Sequence, residues 1–136
     1  MAANATNTLQ ANITSTDPNG NTSINRGLGN PSLAGSVGEA TLYQQLNNGA
    51  NALALPSTGL ITGLQNFYVK NNAAPGGGTV QVSINVNGAG LVIAALLQPG
   101  GVYITWNVVV VAASQITGIT LTASVANIPV EYFFGG

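Results

Sequence analysis

The stretch Thr79-Val-Gln-Val-Ser-Ile-Asn-Val-Asn87 alternates strictly between polar and apolar residues. Successive side chains of a β-strand point to opposite faces of its sheet, so this pattern predicts a strand with one buried face and one polar face. The buried face is predicted to carry the four branched apolar residues of the stretch, Val80, Val82, Ile84 and Val86.

Similar runs occur along most of the chain after Gly38, with turn residues between them. We predict strands at 41–46, 52–55, 60–70, 79–87, 91–97, 102–106, 108–113 and 119–134, the last with a break near Pro129. Asn48-Gly49 and Asn87-Gly88 favour tight turns, because both residue types tolerate positive φ. No segment has a convincing helical period, and parallel βαβ units would need long crossover helices. The predicted fold is an all-β, antiparallel β-sandwich, with a jelly roll as the expected form.

The same alternation predicts which aromatic side chains face outward. Tyr68 lies opposite Phe67 and Val69 in its run, and Phe133 lies opposite Tyr132 and Phe134. In the run 102–106 we expect Trp106 to face the core and Tyr103 to face outward. Tyr68, Tyr103 and Phe133 are therefore candidate interface residues, because exposed aromatic side chains are common at contacts with other molecules.

Two runs lack alternation, Leu91–Leu97 (LVIAALL) and 108–113 (VVVVAA). A strand that is apolar on both faces must be covered on both faces. A small two-layer sandwich covers one face of each sheet, so a partner subunit is the simplest cover. Loops or the N-terminal segment are the alternative.

Composition divides the chain into a predicted extended arm, 1–38, and a sandwich domain, 39–136. The arm is rich in Asn, Thr, Ser and Gly, and its glycines are expected to break regular elements. It nevertheless carries an apolar residue every few positions, which suits docking on another surface, although a loose tail is the alternative. The candidate docking residues of the arm are Leu9, Ile13, Ile24, Leu28 and Leu33.

Only 4% of the 136 residues are charged, namely Asp17, Glu39, Glu131, Arg26 and Lys70. Two basic residues give no electrostatic source for binding nucleic acid or an anionic membrane. The absence of His and Cys excludes zinc sites, thiolate nucleophiles and Ser-His-Asp triads. We therefore expect no catalytic residue, metal or cofactor, and predict that the chain is not an enzyme. The apolar stretch 89–113 is not predicted to span a membrane, because Gln98-Pro99-Gly100-Gly101 divides it into pieces shorter than about 20 residues.

The predicted polar faces carry Asn, Thr, Ser and Gln instead of interspersed charge. Such a surface does not repel its own copies and depends little on salt. This property suits a protein packed at high local density in an ordered shell.

The segments Phe67-Tyr68-Val69-Lys70-Asn71, Gln98-Pro99-Gly100-Gly101-Val102, Ile119-Thr120-Leu121-Thr122-Ala123 and Val130-Glu131-Tyr132-Phe133 resemble small β-sandwich proteins of phage virions. The resemblance covers roughly residues 60–136 and is one of pattern, without a diagnostic signature. It implies a capsid cement (decoration) protein on the capsid exterior. Such proteins are typically trimeric and reinforce the contacts between subunits of the major capsid protein. The alternative is a tail or fibre component, or a glycan-binding β-sandwich module.

Overall fold

A computed structural model describes residues 5–8, 12–16, 19, 22–27, 32–36, 42–55, 66–106 and 116–135. Within these ranges the chain forms strands and turns, and no helix is present. The strands are β1 (Ala5–Thr8), β2 (Asn12–Thr16), β3 (Thr22–Gly27), β4 (Ser32–Ser36), β5 (Leu42–Leu46), β6 (Gly49–Ala52), β7 (Asn66–Asn71), β8 (Val80–Val86), β9 (Leu91–Leu97), β10 (Val102–Trp106), β11 (Ile116–Ala123) and β12 (Ile128–Gly135).

Eight of these strands form two antiparallel four-stranded sheets. Sheet 1 has the order β10-β7-β12-β5, and sheet 2 has the order β6-β11-β8-β9. The pairs β5–β12, β6–β11, β7–β10 and β8–β9 join the first strand to the last, the second to the seventh, and so on inward. The pairs β7–β12 and β8–β11 then complete the sheets. The eight strands are therefore paired first to last across two antiparallel sheets.

The inner faces of the two sheets share one hydrophobic core, as the predicted β-sandwich requires. Phe67, Val69 and Val130 come from sheet 1, and Val82 and Leu121 come from sheet 2, all at most 1% exposed. Fully burying one such aliphatic side chain contributes about 1.5–3 kcal/mol. The predicted inward faces of β7, β8 and β11 are confirmed by this arrangement.

Several predicted strand limits are confirmed and two are wrong. The runs 91–97 and 102–106 are strands over their full predicted length, whereas 60–65 and 108–113 lie outside the described residues. The second predicted strand, 52–55, is displaced to Gly49–Ala52. There the side chain of Asn51 hydrogen-bonds to the backbone N and O of Asn47, so that the chain re-enters extended structure directly after a very short turn.

The break predicted near Pro129 lies instead at Ser124–Asn127, and Pro129 is inside β12. Asn127 adopts a positive φ of 61°, which lets the chain reverse before Ile128. The Asn87-Gly88 turn is confirmed: both residues have positive φ, 51° and 73°, and the N–H of Ala89 donates to the carbonyl of Val86. These two φ values are those of a type I′ turn, which matches the twist of the flanking strands.

Asn71 is a fully buried polar residue at the end of β7, and sequence reasoning gave it no role. Its Nδ2 donates to the carbonyls of Gly78 and Leu97, and its Oδ1 accepts from the N–H of Ala73. Its backbone N–H donates to Gly101, and its carbonyl accepts from Gly100. Asn71 thus fixes the β7–β8 connection and the end of β9 to the core.

In the N-terminal segment the backbone is paired, which contradicts the expectation that its glycines break regular elements. β1 pairs with β4, and β2 pairs with β3, both antiparallel. Three residues lie between Thr8 and Asn12 and four between Gly27 and Ser32, so the β2–β3 pair is nested between β1 and β4 in the chain. Backbone hydrogen bonds do not depend on side-chain type, which lets strands contain Gly27 and Gly35. The proposed division at residue 38 stays a prediction.

Candidate interaction surfaces

The outer face of sheet 1 is largely apolar and aromatic. The strand registers place Tyr43, Glu131, Lys70 and Val102 side by side in one row. A second row contains Phe133, Tyr68 and Ile104. Tyr43 is 74% exposed, while Val102 and Ile104 are 46% and 42% exposed. We call these seven residues the sheet 1 surface.

One polar pair lies inside this surface. The hydroxyl of Tyr68 donates a 2.6 Å hydrogen bond to Oε1 of Glu131 across the β7–β12 pair. Burial and this hydrogen bond raise the pKa of Tyr68 to about 12. The same hydrogen bond, together with one from Asn72 and the charge of Lys70, holds the pKa of Glu131 below its ordinary value. The phenol therefore stays neutral and the carboxylate stays ionised at neutral pH.

The predicted outward positions of Tyr68 and Phe133 are confirmed, and that of Tyr103 is wrong. Tyr68 and Phe133 are half-buried cross-strand partners on the sheet 1 surface. Tyr103 pairs with Val69 and packs against the core. The alternation within β10 is ambiguous, because both of its faces carry apolar or aromatic residues; the pairing with β7 decides the orientation. Trp106 pairs with Asn66 along the backbone, and its predicted core position concerns a side chain outside the described part of the structure.

β9 presents a second apolar surface at the edge of sheet 2. Leu91, Ile93 and Leu96 are partners of Asn85, Ser83 and Gln81, whose side chains lie on the outer face of sheet 2. These side chains and that of Val92 are 56–65% exposed. β9 is an edge strand, and these four side chains stay exposed; a partner subunit as the cover of LVIAALL stays a prediction. We call Leu91, Val92, Ile93 and Leu96 the β9 surface.

A β-bulge makes this arrangement possible. Val82 pairs with Ala95 and Ser83 pairs with Ile93, so that Ala94 is an additional residue on β9. The additional residue reverses the alternation, directing Leu97 into the core at 5% exposure and leaving Leu96 outside at 60%. A continuous apolar run is therefore divided between a core and a surface.

A shallow depression of about 190 Å³ lies beside the first row of the sheet 1 surface. Its lining consists of Tyr43, Gln44, Gln45, Asn72, Pro129 and Val130. The depression offers amide groups and one largely exposed phenol ring. Sequence reasoning did not single out Tyr43, although its position opposite Leu42 and Leu46 in an alternating run was a signal for exposure.

The arm candidates are placed only in part. Ile13 lies in β2 opposite Arg26, Ile24 lies in β3 opposite Ser15, and Leu33 lies in β4 opposite Asn7. Leu9 and Leu28 lie outside the described residues. Whether any of the five contacts a partner stays a prediction.

The charged residues do not form a cluster within the described part of the chain. Glu131 faces Lys70 and Tyr68, while Asp17 and Glu39 lie outside the described residues. Across the ranges that the structure describes, no group of three or more acidic, His or Cys residues could hold a metal ion. The same ranges contain no helix that is long and apolar enough to cross a membrane.

Comparison of the chain with protein-family models, with curated proteins and with solved structures finds no match. The sheet 1 surface and the β9 surface are therefore the observations from which a function can be inferred.

Proposed function

We propose that the chain is a structural subunit of a virion: a capsid cement protein that binds the major capsid protein on the capsid exterior. It would act as a homo-oligomer, with a trimer favoured. The observation that carries the proposal is a nearly uncharged sandwich with two apolar surfaces left uncovered, one on each sheet. Large exposed apolar patches on a folded domain mark sites of association.

The order of the strands supports a jelly roll as the form of the sandwich. Eight strands paired first to last, in orders β10-β7-β12-β5 and β6-β11-β8-β9, are consistent with the rolled hairpin of this fold. Jelly rolls occur in viral capsid proteins and in lectins. The fold is thus compatible with both the virion role and the glycan-binding alternative, and the surfaces must distinguish them.

The sheet 1 surface supplies the contact with the shell in this proposal. It combines five aromatic and aliphatic side chains with Lys70 and with the carboxylate of Glu131, which accepts a hydrogen bond from Tyr68. A surface of this kind binds by excluding water from apolar area, which contributes about 25 cal/mol per Å² buried before the costs of association are subtracted. Binding across the junction of several coat subunits would oppose their separation when the shell is under internal pressure.

The N-terminal segment supplies a second contact. Its paired strands would form an arm that lies across neighbouring capsid subunits, with Leu9, Ile13, Ile24, Leu28 and Leu33 as docking residues. Removal of residues 1–37 is therefore expected to abolish capsid binding and to leave a folded sandwich. The measurement is occupancy on purified particles, with circular dichroism of the truncated chain as the control for folding. Full occupancy of a folded truncated chain would contradict the role of the arm.

A matched pair of substitutions tests the sheet 1 surface. Ile104→Lys places a charge in the second row, whereas Thr122→Lys places the same charge on the polar outer face of sheet 2. We expect Ile104→Lys to lower the affinity for capsids at least tenfold and Thr122→Lys to change it less than threefold. Equal effects of the two variants would place the contact elsewhere.

The second candidate is a tail, fibre or glycan-binding module, favoured by the depression beside Tyr43. Amide groups of Gln44, Gln45 and Asn72 could hydrogen-bond sugar hydroxyls, and the exposed Tyr43 ring could stack on a sugar face. Binding to a glycan array that is lost in Tyr43→Ala would favour this function. The absence of binding to any glycan on the array would rule out the glycan-binding function.

A further inference from the structure

β9 is an edge strand, and the bulge at Ala94 is its one feature of the kind that usually protects an edge against pairing with another strand. Among the described strands its hydrogen-bonded neighbour is β8 alone, so its other edge presents backbone N–H and C=O groups. Natural edge strands are commonly protected by Lys, Pro or extreme shortness. β9 has seven residues, contains neither charge nor Pro, and lies in a stretch without charged residues between Lys70 and Glu131.

The apolar side chains of β9 lie on both faces of sheet 2 along this open edge. Leu91, Ile93 and Leu96 lie on the outer face, and Val92 is 65% exposed although its partner Ile84 packs against the core. The open backbone edge and the apolar side chains thus coincide along the same seven residues. A partner strand that pairs with this edge would cover both at once.

We propose that the partner is a second copy of this chain, paired antiparallel through its own β9 about a two-fold axis. The sequence LVIAALL has the large residues Leu91, Val92, Leu96 and Leu97 at its ends and the small residues Ala94 and Ala95 near its centre. An antiparallel copy therefore sets apolar residues against apolar residues along the whole strand. The pairing would join two copies of sheet 2 into one continuous eight-stranded sheet.

The absence of charge removes the usual obstacle to such self-pairing. A two-fold axis brings each charged group near its own copy, so identical charges repel at the contact. The neighbouring positions on β8, which are Gln81, Ser83 and Asn85, are all neutral. Two copies of this edge can therefore pair without charge repulsion at any ionic strength.

The area available is of the order that a specific dimer needs. Four side chains that are 56–65% exposed offer on the order of 400 Å² per copy, and the paired backbone edges add to this. The total for two copies approaches the lower limit of specific interfaces, about 1,200 Å². An interface of this size is expected to give a weak, reversible dimer.

This two-fold edge contact is separate from the contact with capsids and from the contacts of the favoured trimer, which would use other surfaces, and its test needs no capsids. Sedimentation of the full chain over a range of concentrations is expected to give a reversible two-fold association. Ile93→Lys places two like charges at the axis and should weaken that association at least tenfold. Thr122→Lys, on the outer face of the same sheet but away from its edge, should leave it within threefold.

Disulfide cross-linking locates the contact, because the chain has no Cys of its own. Single substitutions Ile93→Cys, Ala94→Cys and Ala95→Cys bracket the middle of β9, and Ala52→Cys on the opposite edge strand β6 is the control. Mild oxidation should give disulfide-linked dimers from at least one β9 position and not from Ala52→Cys. A chain that stays monomeric at millimolar concentration, or an oligomer without cross-links through β9, would overturn the proposal. Loss of capsid binding with intact cross-linking would instead overturn the proposed function alone.

Discussion

β8 and β9 are neighbouring strands of seven residues each, but they use their apolar residues differently. β8 lies between β11 and β9, and its inward residues Val80 and Val82 are completely buried. β9 lies at the edge of the same sheet and leaves four large apolar side chains more than half exposed. The position of a strand in its sheet, and not its apolar content, decides whether its apolar side chains are buried. Apolar residues beyond those that the core can accept form a surface that needs a partner.

The largest loss of stability is expected from substitution of Asn71, which anchors the end of β9 to the core. Asn71→Ala removes the partners of the Leu97 and Gly78 carbonyls and of the Ala73 N–H. Because buried groups left unpaired cost about 1–3 kcal/mol each, the free energy of unfolding should fall by about 3 kcal/mol or more. Chemical denaturation measures the change.

Asn72→Ala is the matched control, since the neighbouring Asn72 is exposed. Its loss should stay below about 1 kcal/mol. Similar losses in the two variants would mean that Asn71 does not anchor the end of β9.

The next largest effect is expected from a comparison of valine substitutions in β8 and β9. Val82 is fully buried in β8, and Val92 is 65% exposed in β9. We expect Val82→Ala to cost about 2–3 kcal/mol of stability, because it removes buried methyl groups and leaves a cavity. Val92→Ala should cost less than about 0.5 kcal/mol in the monomer, as for other surface substitutions. Equal costs, measured by thermal or chemical unfolding, would contradict the exposure of β9.

A smaller effect is expected in the turn that joins the two strands. Gly88 has a φ of 73°, and a Cβ added there would meet open space. Gly88→Ala therefore introduces backbone strain alone, with an expected cost of about 1 kcal/mol. Ala89→Gly, one residue later, serves as the comparison, and thermal unfolding should rank Gly88→Ala as the less stable variant. The reverse ranking would argue against the type I′ turn.

The smallest effect concerns pH and distinguishes the sheet 1 surface from β9. Because the pKa of Glu131 is lowered, its contribution to stability is complete above its ordinary value of 4.5 and is lost as pH falls through the lowered pKa. Because the pKa of Tyr68 is raised from 10.0 to about 12, its contribution is lost as pH rises through that interval.

Tyr68→Phe should remove the tyrosine absorbance transition near pH 12 and move the Glu131 titration toward 4.5. Leu96→Ala, on the uncharged β9, should leave both titrations unchanged. A transition near pH 12 that persists in Tyr68→Phe would assign the raised pKa to another tyrosine.

The sequence predicts the sandwich well where one face of a strand is polar. Val80–Val86 and Phe67–Val69 alternate clearly, and their inward faces follow from the alternation alone. The predicted inward face of β10 is wrong, because Val102, Ile104 and Tyr103 are all apolar or aromatic. Only the register with β7 shows that Tyr103 faces the core. The edge position of β9 and the bulge at Ala94 depend on pairing between distant segments, so local patterns do not contain them. The role of Asn71 was missed for the same reason, since its partners Gly78, Leu97 and Gly101 lie in distant or irregular segments.

Of the candidate site, the sequence predicted the outward positions of Tyr68 and Phe133 and the apolar excess of Leu91–Leu97. It did not predict that Tyr43, Val102 and Ile104 join the two aromatic residues in one surface, because these five positions come from four different strands. A shared face of this kind follows from strand order, which no single segment encodes.

We propose that the nearly uncharged sandwich exposes its apolar surfaces for association in a viral shell. Electron microscopy of virions purified from an infection that produces the chain tests this directly, by the copy number and position of the sandwich. The account predicts regular density on the capsid exterior, with Tyr43, Ile104 and the other residues of the sheet 1 surface against coat subunits. Particles without the chain, or density in which the sheet 1 surface and the β9 surface both face solvent, would contradict it.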